Sequence, residues 1–127
     1  MAVQPYTTTE VESLYGHAHL IVWVLANGDT GTPFQMPTSS DRSVHMFGTF
    51  GVGGSVTMQV SNEAQNVDTS VAQFASAHDP QGAVLTITTT NNIKEVAEVS
   101  RWIRPTCTLG DGTTSITVSM MARKAVP

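Results

Sequence analysis

The chain is poor in charge, in cysteine and in aromatic residues. Charged residues make up 13% of its 127 residues, against the roughly 25% that is usual in soluble domains. Lys and Arg are absent before Arg42, so the first 41 residues carry all of the net charge of −4. Because no basic stripe is available to bind a phosphate backbone, we expect no direct contact with nucleic acid.

A single cysteine excludes an intramolecular disulfide. Cys107 lies between two threonines in a predicted strand, where a buried or edge thiol is more common than a nucleophile. The apolar run Leu20–Ala26 is too short for a transmembrane helix, and no basic segment begins a signal peptide. The sequence therefore predicts a protein that folds in a reducing cytoplasm and makes no membrane contact.

Threonine and valine are the commonest residues, with 18 and 15 copies. Branching at Cβ favours strands over helices. A surface rich in Thr, Ser, Asn and Gln also suits a large interface, because few ions must lose their water. A Thr-rich secreted or viral β-domain without such an interface is the alternative.

The segment Asp41–Ser61 alternates apolar and polar residues on both sides of the turn Gly51–Gly54. This pattern predicts a half-buried antiparallel hairpin. The apolar positions are Val44, Met46, Phe50, Val56, Met58 and Val60.

Further short strands are predicted along the chain, separated by turns rich in Gly, Pro, Asn and Asp. They cover His19–Leu25, Thr32–Met36, Val84–Thr90, Trp102–Leu109 and Ser115–Ala122, with a strand or helical turn at Ile93–Val99. Pro105 predicts an edge or bulged position for its strand, and Gly110–Gly112 predicts a hairpin between the last two. The fold class is therefore all-β: a jelly-roll-like or related antiparallel β-sandwich.

Residues 1–18 show no clean period and are predicted to form an extended N-terminal arm. Residues 19–127 then form a single β-sandwich domain. The irregular stretch Asn62–Asp79 is predicted to be a loop.

No motif predicts catalysis or a cofactor. His17 and His19 would share a strand face, but a zinc site needs at least a third ligand, so surface or core histidines are favoured. Gly48–Gly54 lacks the Gly-Lys-Ser/Thr of a phosphate loop and is predicted to be a turn. Asp68, Asp79 and Asp111 with His78 lack a nucleophile elbow. We expect no enzyme activity, cofactor or metal, and a small hydrolase is the weakest alternative.

The segment Arg101–Pro105 places a tryptophan between arginines, a pairing that is enriched at protein interfaces. The alternative, a core tryptophan flanked by solvated arginines, is slightly favoured by pattern alone. The candidate interface residues are Tyr6, Leu14, Tyr15, Trp23, Arg101, Trp102 and Arg104. Trp23, Trp102, Phe50 and Ile116 are expected as core or intersubunit anchors.

The chain from Trp23 to Lys124 resembles the capsid decoration (cement) proteins of tailed bacteriophages. The resemblance lies in short Thr-rich strands and in their turns. The segments that carry it are Ala26–Pro33, Ser40–Val44, Gly48–Gly51, Val60–Asn62, Asp79–Gly82, Ile103–Pro105 and Gly110–Ser115.

This resemblance implies a homotrimer made in the host cytoplasm and bound to the outer surface of an icosahedral capsid in the virion. Its partner would be the major capsid protein. Bridging neighbouring capsid subunits would stabilise the shell against DNA pressure, since binding favours the bound state. The arm would become ordered on a neighbour. The alternative is a receptor- or carbohydrate-binding module of a phage tail or adhesin, which would need an exposed aromatic platform.

Overall fold

The computed structural model of the chain describes residues 2–11, 18–35, 39–63 and 73–124. Within these ranges all regular secondary structure is β-strand. The strands are β1 (Val3–Gln4), β2 (Thr7–Val11), β3 (Ala18–Leu25), β4 (Thr30–Gly31), β5 (Phe34–Gln35), β6 (Ser39–Thr49), β7 (Ser55–Ser61), β8 (Ala75–Ser76), β9 (Thr86–Ile87), β10 (Asn92–Glu95), β11 (Trp102–Leu109) and β12 (Ser115–Lys124).

The strands form two sheets that pack face to face. Sheet I has seven strands in the order β1-β4-β11-β7-β8, in which β5 also pairs with β11 and β9 with β7. Sheet II has five strands in the order β10-β6-β12-β3-β2. Pairing is antiparallel except between β1 and β4.

From β3 onward the chain repeatedly crosses between the sheets. The connections β3–β4, β5–β6, β6–β7, β9–β10, β10–β11 and β11–β12 all change sheet. Each central strand consequently lies between strands that are distant in sequence, which is the arrangement of a jelly roll. The predicted fold class is confirmed.

Both predicted glycine-turn hairpins are wrong. Strand β6 pairs with β12 and β10, whereas β7 pairs with β11, β8 and β9. The turns Gly51–Gly54 and Gly110–Gly112 therefore carry the chain from one sheet to the other. Alternation correctly gave the inward face of each strand, but it does not encode which strand is its neighbour.

The two crossover turns are joined at one end of the sandwich. The backbone amide of Val52 donates a hydrogen bond of 2.8 Å to Asp111 Oδ2. Thr114 Oγ1 donates to the carbonyl of Phe50 at 2.8 Å. The β6–β7 and β11–β12 connections are thus held together by side-chain contacts.

The edge position predicted from Pro105 is also wrong, because β11 is a central strand. Its missing N–H is accommodated by a break in the neighbouring strand. Cys107, two residues further on, donates its N–H to Asp29 O at 2.8 Å on the side of β4. The nitrogen of Pro105 therefore faces the interval between β4 and β5.

The core lies between the sheets and consists of the inward residues of both. Its largest fully buried side chains include Trp23, Ile21, Leu25, Met46, Met58, Leu85, Ile87, Ile103, Ile116 and Met120. The indole Nε1 of Trp23 donates to the carbonyl of Thr32 at 3.0 Å, so the only polar atom of this ring is paired inside the core.

Residues 2–11, assigned above to an extended arm, are paired within the sandwich. Strand β1 pairs with β4 in sheet I and β2 pairs with β3 in sheet II. A separate arm is therefore not confirmed. Residues 12–17 lie outside the described residues.

Candidate interaction surfaces

The outer face of sheet I carries an arginine–tryptophan cluster on β11. Ile103, Pro105 and Cys107 point inward and are buried, so the alternate residues of the strand point outward. Trp102 and Arg104 are among these and are half-buried. We refer to Arg101, Trp102, Arg104 and Phe74 as the Arg–Trp cluster.

Arg104 is held over an aromatic ring. Its Cζ lies 3.8 Å from the centroid of the Phe74 ring, and its Nε donates to Gln59 Oε1 at 2.9 Å. Burial lowers the pKa of the guanidinium, but arginine stays protonated at neutral pH. The cation is therefore fixed in place on the outer face of sheet I.

Trp102 and Arg101 are fixed in the same way. The indole Nε1 of Trp102 donates to the carbonyl of Glu63 at 3.0 Å, and Arg101 Cζ lies 5.8 Å from the centroid of the ring. With its carboxamide oxygen turned towards Arg101, Gln35 accepts from Nε at 3.1 Å and Nη2 at 3.2 Å. The cluster thus loses little side-chain entropy on binding.

A shallow depression adjoins this cluster. It has a volume of about 400 Å³ and is lined by Gln35, Val99, Ser100 and Arg101. The Val99 side chain is 61% exposed. The depression offers an apolar contact beside the guanidinium.

The structure separates the predicted interface residues into two groups. It brings Arg101, Trp102 and Arg104 together on one face. Trp23 is completely buried, and Tyr6 packs edge-to-face on Trp23 at 6.0 Å between ring centroids. Trp23 therefore lies in the core, and Tyr6 is half-buried against it. Leu14 and Tyr15 lie outside the described residues.

The outer face of sheet II carries an apolar surface that the sequence analysis missed. Cross-strand register places Val24 beside Thr117, and Thr117 beside Phe47. The next rows place Val22 beside Ser119 and Leu20 beside Met121. We call the apolar residues of this surface the apolar face; its members are Leu20, Val22, Val24, Phe47, Ile93 and Met121.

A sequence signal for this face was present in β3. The segment Leu20–Leu25 is apolar at every position, and such continuous runs are typical of strands buried on both faces. Ile21, Trp23 and Leu25 are buried in the core. The intervening residues are then an apolar surface that the sandwich itself leaves exposed.

Of the candidate site residues, His78 is paired with Glu98, while His17 and Asp68 lie outside the described residues. His78 Nδ1 lies 2.5 Å from Glu98 Oε2, and the backbone amide of His78 donates to Glu98 Oε1 at 2.8 Å. Burial would raise the pKa of Glu98, but these hydrogen bonds outweigh it and lower the pKa. Within the described residues, no group of three or more His, Cys, Asp or Glu is arranged to hold a metal ion.

Cys107 is buried. A buried thiol was one of the two predicted alternatives, the other being a thiol on an edge strand. Its Sγ donates to the carbonyl of Leu109 at 3.3 Å. Burial raises the pKa of the thiol, which makes it a poor nucleophile at neutral pH. Among the described residues there is no helix long and apolar enough to span a membrane.

Comparison with known proteins shows a likeness of fold. No family model and no curated protein matches the chain. The structure of YomS, a protein derived from the SPBc2 prophage, is similar with a TM-score of 0.60 and 9% identity, covering 98% of this chain and 97% of YomS. A cupin domain from Bordetella pertussis Tohama I matches with a TM-score of 0.37 and 13% identity, covering 98% of this chain and 99% of that domain.

Proposed function

We propose that the chain is a non-enzymatic structural protein of a bacteriophage virion, which decorates the outer surface of the capsid. The sequence resemblance to decoration proteins supports this proposal. A jelly-roll fold shared with a prophage-derived protein is consistent with it. The chain would bind the major capsid protein as a homotrimer and bridge neighbouring subunits of the shell.

The observation that carries the proposal is the Arg–Trp cluster on the outer face of sheet I. Tryptophan and arginine are the residues most enriched among those that dominate binding energy. Here hydrogen bonds and ring contacts already hold Trp102 and Arg104 in place. A rigid, half-buried pair of this kind suits a permanent protein contact better than a mobile ligand.

Capsid stabilisation follows from binding that favours the closed shell. A protein that binds across two capsid subunits binds the intact shell and not the separated subunits. The shell is then stabilised by an amount that grows with the concentration of the decoration protein relative to its Kd. No chemical step is required of the bound protein.

Cosedimentation with capsids tests this proposal. Purified chain is mixed with expanded and unexpanded capsids of the phage that encodes it, and bound protein is measured in the pellet. We expect binding to at least one capsid state. Trp102→Ala and Arg104→Ala should each weaken it by about 30-fold, which corresponds to roughly 2 kcal/mol for a dominant interface residue.

Arg123→Ala is the matched control, because Arg123 is an exposed arginine of sheet II that pairs with Asp41 at 2.7 Å. Its binding should equal that of the unaltered chain. Absence of the chain from both pellets would overturn the proposal. Binding of the isolated chain to a glycan array would instead support a receptor- or carbohydrate-binding tail module.

A further inference from the structure

The apolar face of sheet II is large and open to solvent. The exposed fractions of its side chains reach 52% for Val24, 39% for Phe47 and 61% for Ile93. Leu20, Val22 and Met121 are half-buried between them. Contiguous apolar surface of this kind marks an interaction site in soluble proteins.

We infer that a second copy of this chain covers the apolar face. The inference deepens the proposed function, in which the chain is a homo-oligomer, and rests on that part of it. Three properties of the face support it: the composition of β3, the area of sheet II and the distribution of charge.

The composition of β3 is that of a strand covered on both sides. An antiparallel sheet with one solvated face normally alternates apolar and polar residues. The neighbouring strand β12 does so, with Thr117 and Ser119 on its outward side. Strand β3 instead places Val22 and Val24 outward, beside these two polar residues.

The area of sheet II matches the requirement of a stable protein interface. Its five strands, about 4.8 Å apart, give a width of roughly 24 Å. The ten residues of β12 give a length of roughly 34 Å at about 3.4 Å per residue. Because β10, β3 and β2 have only 4, 8 and 5 residues, the face covers on the order of 600 Å², at the lower end of what each partner contributes to a standard interface.

The charge distribution permits contact with an identical chain. Across the central rows the polar positions are Ser43, Thr117 and Ser119, together with His45, which lies between Ile93 and Ser119. His45 Nε2 is hydrogen-bonded to Asn91 Oδ1 at 2.9 Å. The charged residues at described outward positions lie at the margin: Glu95 on the edge strand β10, and the ion pair of Asp41 with Arg123. No Asp, Glu, Lys or Arg at a described outward position lies at the centre of the face, so a neighbouring copy that covers it buries no such charge there.

The position of the face is also compatible with capsid binding. The Arg–Trp cluster lies on the outer face of sheet I, on the opposite side of the sandwich. A second copy on sheet II leaves that cluster accessible. The same chain can then contact another copy through one face and the shell through the other.

Light scattering of the full chain, coupled to size-exclusion chromatography, tests the inference. We expect the unaltered chain to have the mass of two copies where two apolar faces contact each other, or of three copies where the face contacts a different surface of the next copy, as a homotrimer requires. Val24→Glu places a charge on the apolar face, in the row that Val24 shares with Thr117 and Phe47, and should reduce the mass to that of one chain. Val52→Glu is the control, because Val52 is 82% exposed on a crossover turn and is not a member of the apolar face. The mass of this variant should equal that of the unaltered chain.

Ile93→Glu is a second variant, on the edge strand of the same face, for the case in which Val24→Glu fails to fold by circular dichroism. It should also lower the mass. A single-chain mass for the unaltered protein would overturn the inference, as would an oligomer that survives both substitutions in folded protein.

Capsid cosedimentation separates this failure from that of the proposed function. An unaltered chain that is monomeric, pellets with capsids and loses binding on Val24→Glu would show that the face contacts the shell. That result overturns self-association and leaves capsid decoration standing. An oligomer that depends on Val24 but does not pellet with capsids would support self-association through the apolar face and overturn capsid decoration.

Discussion

Gln4 and Asp29 are joined by a side-chain hydrogen bond of 2.9 Å, from Nε2 to Oδ2. The same carboxylate accepts from the backbone amides of Ala2 at 3.2 Å and Ala26 at 2.9 Å. Burial would raise the pKa of Asp29, but these hydrogen bonds outweigh it and lower the pKa. One carboxylate thus fastens β1 to the turn between β3 and β4.

Replacing Asp29 with Ala should loosen the N-terminal strand. Hydrogen bonds to a charged group each contribute about 1.5–3 kcal/mol, so we expect the free energy of unfolding to fall by about 2 kcal/mol or more. Urea denaturation measures the loss, and amide exchange should accelerate at Thr30 and Thr32, which donate to the carbonyls of Ala2 and Gln4. Asp41→Ala, which removes an exposed ion pair, should change stability by less than about 1 kcal/mol.

The crossover turns should weaken in acid because Asp111 must stay ionised to hold them. Hydrogen bonds from the Thr113 hydroxyl and from the backbone amides of Val52 and Thr113 lower the pKa of Asp111 to about 2. Since the folded pKa lies below the unfolded value of about 3.9, its contribution is complete above pH ~4 and is lost as the pH falls towards 2.

An NMR titration checks this point. Chemical shifts of the Val52 and Thr113 amides should move with a midpoint near the pKa of about 2, and Asp111→Asn should abolish the movement. A midpoint near 4 would mean that the carboxylate does not hold the two turns together.

Gly31→Ala should destabilise the chain through a clash with the core. A Cβ at this position would lie 2.5 Å from Trp23 Cδ1 and 2.7 Å from Pro105 Cδ. Overpacking of this kind costs about 1–3 kcal/mol. Gly112→Ala is the control, because no atom lies within 4 Å of a Cβ there; thermal melts should show a loss for the first variant only.

Arg42→Met should leave stability unchanged or raise it. Arg42 is 2% exposed, and burial lowers the pKa of its guanidinium despite attraction from Glu98. Nη1 donates to Ser100 Oγ at 3.3 Å, but Nε and Nη2 have no hydrogen-bond partner in the described structure. Replacing such a buried cation with an apolar side chain of similar volume gains up to about 1–4 kcal/mol.

Chemical denaturation of Arg42→Met beside Arg123→Met measures this difference. The second variant removes an exposed arginine and should have little effect on stability. A marked loss for the first variant alone would show that Ser100 and Glu98 together stabilise the buried charge.

The sequence predicted individual strands better than their partners. The predicted strand Trp102–Leu109 has the bounds of β11, and His19–Leu25 differs from β3 by one residue. These strands follow from local alternation and turn chemistry. The neighbours of a strand depend on which surfaces fit across the sandwich. Both hairpins were therefore wrong, as was the edge position that was one of the two alternatives for Pro105.

For the candidate surfaces too, residues close in sequence could be predicted together, whereas residues joined by strand pairing could not. Arg101, Trp102 and Arg104 are adjacent in sequence and could be proposed together. Phe74 of the cluster and Gln59, which accepts a hydrogen bond from Arg104, come from other segments. They could not be placed beside Arg104 without the pairing of β7 with β11 and β8. Only β3 carried a sequence signal for the apolar face. The other members of the face come from three different strands, and their proximity depends on strand pairing.

The crossovers between the sheets also have a consequence for folding kinetics. The pairing of β6 with β12 joins Thr49 to Ser115 and Ser39 to Lys124, which are far apart along the chain. Neither glycine turn can nucleate a hairpin, so long loops must close before the central ladder gains any stability. We expect refolding in the range of milliseconds to seconds, and stopped-flow fluorescence of Trp23 and Trp102 should show that shortening either turn does little to accelerate it.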